Sequence, residues 1–176
     1  MTAVHPVQIL MQEHQTILKV LDAIEARVNR LGQEPFPADF FTGALDFCRN
    51  FADGCHHFKE EDTLFPAMIE KGFSRESGPI AVMLADHDFG RACLKAVREN
   101  LDPPNIDIIR QNALAYVQML RQHIYKEDNI LFRMAVNVLD EQNVARLEAI
   151  FADESNAKIN AAVREKYAAL AARLTA

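Results

Sequence analysis

His56-His57-Phe58-Lys59-Glu60-Glu61-Asp62-Thr63-Leu64-Phe65 and His123-Ile124-Tyr125-Lys126-Glu127-Asp128-Asn129-Ile130-Leu131-Phe132 are two versions of one ten-residue phrase. Aligned without a gap, they superpose His56 on His123, Lys59 on Lys126, Glu60 on Glu127, Leu64 on Leu131 and Phe65 on Phe132. Each contains His-x-x-x-Glu. On a helix that spacing puts an imidazole and a carboxylate one turn apart on the same face. Upstream of each phrase stands another histidine after an acid: Glu13-His14 before the first, Asp86-His87 before the second. Histidines and glutamates in a twofold-repeated order are the parts of a two-metal site inside a helix bundle.

Working outward, the apolar residues recur at helical spacing and predict four long helices. Helix A runs from about Pro6 to Leu31, with Leu10, His14, Ile17, Leu21 and Ile24 on one stripe and Gly32 as its stop. Asp39 is the expected cap of helix B, which runs to about Lys71 before Gly72. Its inner stripe carries Phe41, Leu45, Cys48, Ala52, His56 and Glu60, and a second apolar stripe (Phe40, Ala44, Phe47, Phe51, Cys55, Phe58) makes it unusually buried. Ser77-Gly78-Pro79 opens helix C, which carries Met83, His87 and Leu94. Pro103-Pro104-Asn105 breaks the chain before helix D, about Ile106 to Leu139, with Tyr116, Leu120, His123, Glu127 and Leu131 on its stripe. Residues 141–176 read as one or two amphipathic helices, and no strand pattern appears. The expected fold is all-α: an up-down-up-down four-helix bundle over residues 1–140, with a C-terminal helical extension over 141–176 packed on it.

Composition narrows the function classes. A net charge of −6 argues against a nucleic-acid partner, because phosphate binding needs clustered Lys and Arg. No apolar run approaches the roughly 18 residues of a membrane span. The leading Met1-Thr2-Ala3-Val4-His5-Pro6-Val7 lacks the features of a secretory signal. The 3 Cys are an odd number without Cys-x-x-Cys spacing, against both a disulfide framework and a thiolate zinc site. The expectation is a cytoplasmic protein, monomer or homodimer, with neither nucleic acid nor membrane as partner.

Each candidate ligand sits on an otherwise apolar stripe. Burying Glu60 and Glu127 as bare carboxylates costs several kcal/mol, so each needs a partner, and a divalent metal is a suitable one. A lone histidine on a core face is more often a hydrogen-bonded core residue than a ligand. Six such residues in a repeated order make coincidence the poorer account. The bland reading of the charge runs Lys59-Glu60-Glu61-Asp62 and Lys126-Glu127-Asp128 is a solvated face, which explains Lys59, Asp62, Lys126 and Asp128. It does not explain two aligned His-x-x-x-Glu pairs. Imidazole and carboxylate without thiolate suit iron, manganese or zinc, and two metals sharing two carboxylates suit iron best. The expected metal ligands are His14, His56, Glu60, His87, His123 and Glu127. The expected cofactor is two iron ions with an oxo or hydroxo bridge, zinc or manganese being possible substitutes.

The order His14, His56-x-x-x-Glu60, His87, His123-x-x-x-Glu127 resembles the hemerythrin-like, or HHE cation-binding, domain family. Leu64-Phe65-Pro66 and the run from Gly78 to Arg91 add to the likeness, which covers about Val7 to Leu139. The resemblance implies a four-helix bundle around a non-haem di-iron centre that handles O2, NO, peroxide or iron itself. Oxygen-carrying members have a second histidine one turn after the third-helix ligand; here that position is Arg91. They place an Asp five residues after the last histidine, whereas Glu127 lies four after His123. Both departures argue against stable O2 carriage.

His57 has two readings. The register His57-x-x-x-Glu61 has the same spacing, but the repeat aligns His56 with His123, and the stripe through His57 contains Asn50, Asp53 and Gly54. That stripe reads as a bundle edge. Neighbours on a helix point only about 100° apart, so direct ligation by His57 as a fifth imidazole is the alternative. Gly90 and Tyr116 read first as packing residues, with room for a small ligand and a hydrogen bond to it as alternatives. Cys48 and Cys55 read as small hydrophobes, and His5 as solvated. Three functions follow. The first is a di-iron protein that binds or senses O2, NO, peroxide, iron or redox state. The second is a di-iron enzyme: an oxidase, peroxidase or NO-handling enzyme of iron–sulfur repair type. The third is a structural bundle with incidental metal such as zinc.

Overall fold

A computed structural model describes residues 5–176. The reading of the N-terminal stretch rests partly on Met1–Val4, which lie outside these residues. Six helices are formed among the described residues, with no β-strand. Helix α1 spans Pro6–Val28, α2 spans 38–70, α3 spans Gly78–Glu99 and α4 spans 106–138. Helices α5 (Glu141–Phe151) and α6 (Ala161–Leu174) follow. The first four pack as a closed ring in which α3 lies against α4, α4 against α1, and α2 against both α1 and α3. This is the all-α bundle with C-terminal helices that the periodicity implies.

Local chemistry sets the ends. Gly32 and Gly72 adopt φ of 87° and 98°, a left-handed conformation that costs other residues strain, and the helices before them stop. Pro6 stands in the first turn of α1, and the imidazole of His5 accepts the Val7 N–H, so His5 is a cap rather than merely solvated. Asp39 is not the cap of α2: Pro37 takes that position and Asp39 falls in the first turn, where its charge suits the helix dipole. Asp140 and Asn143 close a reciprocal capping box on α5.

Helices α2 and α4 are not α-helical throughout. Both widen to i→i+5 hydrogen bonding at their repeated glutamates, over Glu60–Leu64 and Glu127–Leu131. In α2 a second wide stretch, Cys48–His57, comes just before. Wide turns of this kind concentrate at functional sites.

The interior has two apolar clusters. One holds Ile17, Leu21, Ile24, Phe47, Cys48, Phe51, Val97, Tyr116 and Leu120. The other holds Leu10, Leu64, Phe65, Met68, Ile80, Met83, Leu131, Phe132, Leu147 and Phe151. Between them lies a polar layer, because His14 falls between Leu10 and Ile17, and His123 between Leu120 and Leu131. The C-terminal helices pack on α1 and α2. Tyr167 of α6 meets Phe47 and Phe51, which explains the second apolar stripe of α2. Among the described residues, no helix is long and apolar enough to cross a membrane.

Candidate metal centre

The polar layer contains His14 from α1, His56, His57 and Glu60 from α2, His87 from α3, and His123 and Glu127 from α4. Each is at most 4% exposed. Their inward atoms form two groups within which all members lie within 4.8 Å of one another: His14, His56, Glu60 and Glu127; and His57, Glu60, His87 and His123. Glu60 belongs to both. One of its oxygens is 3.3 Å from His56 Nε2 and the other 3.5 Å from His87 Nε2. Glu127 Oε2 lies 3.2 Å from both His14 Nε2 and His123 Nε2. Each glutamate therefore faces an imidazole on either side. The Nε2 atoms of His87 and His123 lie 3.1 Å apart.

The chemistry of this donor set tests whether metal fits. His14, His56 and His57 Nε2, and all four carboxylate oxygens of Glu60 and Glu127, are buried without a hydrogen-bond partner. The short imidazole–glutamate approaches above do not have hydrogen-bond geometry. Unpaired buried donors and acceptors normally cost about 1–3 kcal/mol each, more when charged. A cluster of seven aimed at one another could hold metal ions, and imidazole nitrogen with carboxylate oxygen suits iron, manganese or zinc.

The outward face of each ring is equally specific. His14 Nδ1 lies 2.8 Å from Asp128, His56 Nδ1 2.9 Å from Glu13, and His57 Nδ1 3.2 Å from Asp53. His87 Nδ1 lies 2.7 Å from Glu61, and His123 Nδ1 3.2 Å from Asp86. Donating Nδ1–H to a carboxylate fixes the tautomer that leaves Nε2 free as a ligand. The arrangement follows the repeat. Glu13 holds His56 and pairs with Lys59, as Asp86 holds His123 and pairs with Lys126. Glu61 crosses to His87, as Asp128 crosses to His14. Phe132 stacks beside His14, and Phe65 beside His87.

Two sequence readings need correction. His57 is not at a bundle edge: it is buried, and its ring stacks on His87 with centroids 3.7 Å apart. Of the stripe residues that suggested an edge, Asn50, Asp53 and Gly54, Asp53 binds His57. The charge runs are not wholly solvated. Lys59 is 1% exposed and paired with Glu13, and Asp128 binds His14. The outer carboxylates Glu13, Asp53, Glu61, Asp86 and Asp128 went unassigned in the sequence. The signal for four of them was there, since an acid precedes each first histidine and follows each repeated glutamate. Arg91 turns away from the ligand atoms toward Asp53, Glu61 and Asp88. Gly90 gives its space to Met119 and Tyr116, and Tyr116 sits in the core beside Cys48. Burial pushes the thiols of Cys48 and Cys55 up to about 12 and 11, away from thiolate chemistry.

Electrostatics agrees with a cation site. Burial opposes charge on His56, but Glu60 and Glu13 outweigh it and push its pKa up to about 10. Burial likewise opposes charge on His123, yet Glu127 and Asp86 raise it to about 9. His57 goes the other way: burial, with His87 and His123 alongside, holds it well below the ordinary range. With neutral rings, the seven carboxylates of the layer (Glu13, Asp53, Glu60, Glu61, Asp86, Glu127, Asp128) face three cations (Lys59, Arg91, Lys126). Negative charge remains in excess, as a cation site requires.

Comparison with known proteins places this geometry. A family profile described as the hemerythrin HHE cation binding domain matches residues 5–135. The iron-sulfur cluster repair protein YtfE of Yersinia pseudotuberculosis serotype IB (strain PB1/+) is 39% identical over 90 residues, 46% of this chain and 40% of that protein. The uncharacterized protein Rv1995 of Mycobacterium tuberculosis (strain ATCC 25618 / H37Rv) is 24% identical over 160 residues, 87% of this chain and 62% of that protein. The chain thus spans less than two thirds of the length of these relatives. No solved structure matches it significantly. The family match covers most of the chain and every residue of the polar layer, so the chain belongs to the hemerythrin HHE cation-binding domain family.

Proposed function

We propose that this chain binds two iron ions between its four bundle helices and uses them to bind a small ligand: O2, NO or peroxide. The observation that carries the reading is the set of seven buried, unpartnered ligand atoms facing one another. One ion would be held by His14 and His56, the other by His57, His87 and His123, with Glu60 and Glu127 reaching both. Iron held there supplies redox chemistry and an exchangeable position for a small ligand. The protein's own share is preorganisation. The outer carboxylates hold five imidazoles in one tautomer, and the two apolar clusters keep bulk water from the layer. A surface groove lined by Gln8, Met11, Asp128 and Phe132 includes the two residues, Asp128 and Phe132, that contact His14. One of the two sequence arguments against O2 carriage, Arg91 in place of a histidine, assumed a site one imidazole short. With His57 inside, that premise falls, and reversible binding becomes an outcome to measure.

A second reading, iron–sulfur cluster repair, is favoured by one observation: part of the chain is similar to a protein bearing that name. One experiment serves both. The protein is purified anaerobically, its metal content measured, and its spectrum followed on adding O2, NO and peroxide. About two irons per chain and a ligand-dependent spectrum are expected. Zinc, or a single tightly held ion after growth in iron-replete medium, would overturn the two-iron reading. Restoration of a damaged iron–sulfur protein, or turnover of NO or peroxide, would move the assignment from binding to enzymatic chemistry.

A further inference from the structure

Six large apolar side chains stand exposed among the described residues, and all lie on one side of the bundle: Val82 and Phe89 on α3, and Tyr125, Ile130, Met134 and Val136 on α4. Helices α5 and α6 pack on α1 and α2 instead. Single exposed apolar residues are ordinary, but a periodic row of them asks for a partner.

The row on α3 is periodic. Val82, Ala85, Phe89, Ala92 and Ala96 follow one another at spacings of 3, 4, 3 and 4 residues, the a and d positions of a heptad. Ala85 and Ala92 are exposed and Ala96 is half-buried. The opposite face of the same helix, with Met83, His87, Gly90, Leu94 and Val97, is already buried in the bundle. Helix α3 therefore carries two apolar faces, of which its own fold uses one. A strict a/d stripe is the narrow seam that one helix offers to another.

We propose that this seam joins two copies of the chain through α3, antiparallel about a twofold axis. The seam is complementary to itself. An antiparallel pairing that sets Phe89 against Ala92 of the second copy also sets Ala85 against its Ala96, so no central layer brings two large residues together. A parallel pairing would set Phe89 on itself. Charge selects the same register. The flanking g positions carry Asp88 and Lys95, whose side chains are 78% and 66% exposed. In this register Asp88 faces Lys95 of the second copy, and Lys95 faces its Asp88. One heptad away, where Phe89 would meet Ala85, Asp88 would instead face Asp88. Within the chain Asp88 meets Arg91 through Oδ1 alone, and Lys95 lies 4.0 Å from Glu99, so both can turn to a partner. Such reciprocity, residue i on j and j on i, is what a closed twofold interface requires.

The test is sedimentation equilibrium of the full chain as purified, across the micromolar range in which a contact of this modest size is expected to associate. The wild type should dimerise. Phe89→Asp should weaken the dimer about 30-fold or more, the size of a central aromatic contact. Lys95→Asp, remote from the metal layer, should weaken it several-fold, and Asp88→Lys/Lys95→Asp should restore it. Val136→Ser, at an exposed apolar residue in the groove beside α1, should leave it unchanged. Each variant alters an exposed residue, and an unchanged circular dichroism spectrum shows that it has folded; should Phe89→Asp fail, the charge exchange still decides. A wild type that stays monomeric overturns the proposal and leaves the seam to a helix of another protein. A dimer unmoved by Phe89→Asp overturns it as well, and a double exchange that restores nothing overturns the antiparallel register. None of these outcomes depends on which metal the centre holds.

Discussion

Lys59 and Lys126 occupy the same position of the repeat, yet their surroundings differ. Lys59 is sealed among Glu13, Cys55 and the Phe151 ring, whereas the Lys126 side chain is 34% exposed beside Asp86. Removing one partner of a buried pair leaves an uncompensated charge and costs about 3–5 kcal/mol. Removing a partner from a half-exposed pair costs about 0–1 kcal/mol. Lys59→Met should therefore lower the urea midpoint of the metal-loaded chain strongly, and Lys126→Met only slightly; equal effects would mean the two sites are equally solvated. At the same scale, Glu60→Ala should lose at least one iron, whereas Glu61→Ala should only weaken retention by about 10–100-fold. Metal analysis after gel filtration and chelator challenge separates the two, and the reverse order would put the register at His57-x-x-x-Glu61. Individual residues were legible where the repeat fixed them, as for His56 and Glu60. The cross-helix partners of the rings were not, because Glu13 binds His56 and Asp128 binds His14 from other helices. Sequence spacing encodes contacts within a helix, not between helices.

At the scale of elements, the four long helices were readable because their apolar residues keep a 3.6-residue period and glycine or proline marks their ends. The wide turns were not readable. An i→i+5 stretch is chosen by what its side chains meet, and no residue type announces it. The second apolar stripe of α2 was visible, but its cover was not assigned. That cover is α6, whose Tyr167 packs on Phe47 and Phe51 and reaches Asp46 with its hydroxyl at 3.2 Å. Leu170, 6% exposed, packs in the same apolar cluster. Truncating a buried leucine to alanine costs about 2–5 kcal/mol. Leu170→Ala should thus lower the unfolding midpoint while the folded fraction keeps its full metal content. Metal loss in that variant at temperatures where it remains folded would show that α6 shapes the centre and does more than cover it.

Across the whole molecule, the excess of buried carboxylate ties folding, protons and metal together. In the metal-free chain His56 and His123 have pKa values near 10 and 9, above the ordinary imidazole value of about 6.5. A folded-state pKa above the unfolded one means the folded chain holds the proton more tightly. The resulting stabilisation is complete below about pH 6.5 and is lost as pH rises through 9 to 10. The acids behave oppositely. Burial opposes ionisation of Glu127, but His123 and His14 hold it well below the ordinary range, so its contribution disappears only in acid. The metal-free protein should therefore lose thermal stability steadily between pH 6.5 and 10. Metal replaces these protons as the counter-charge and needs the rings deprotonated, so binding at pH 7 should release protons into a weakly buffered solution. The loaded chain should keep its melting temperature over the same interval, and the stabilisation by metal should grow with pH. Melting both forms across this range, with proton release followed by a pH indicator, checks the linkage. A metal-free chain whose melting temperature stays flat or rises toward pH 10 would mean that its carboxylates are neutralised by something other than these two histidines.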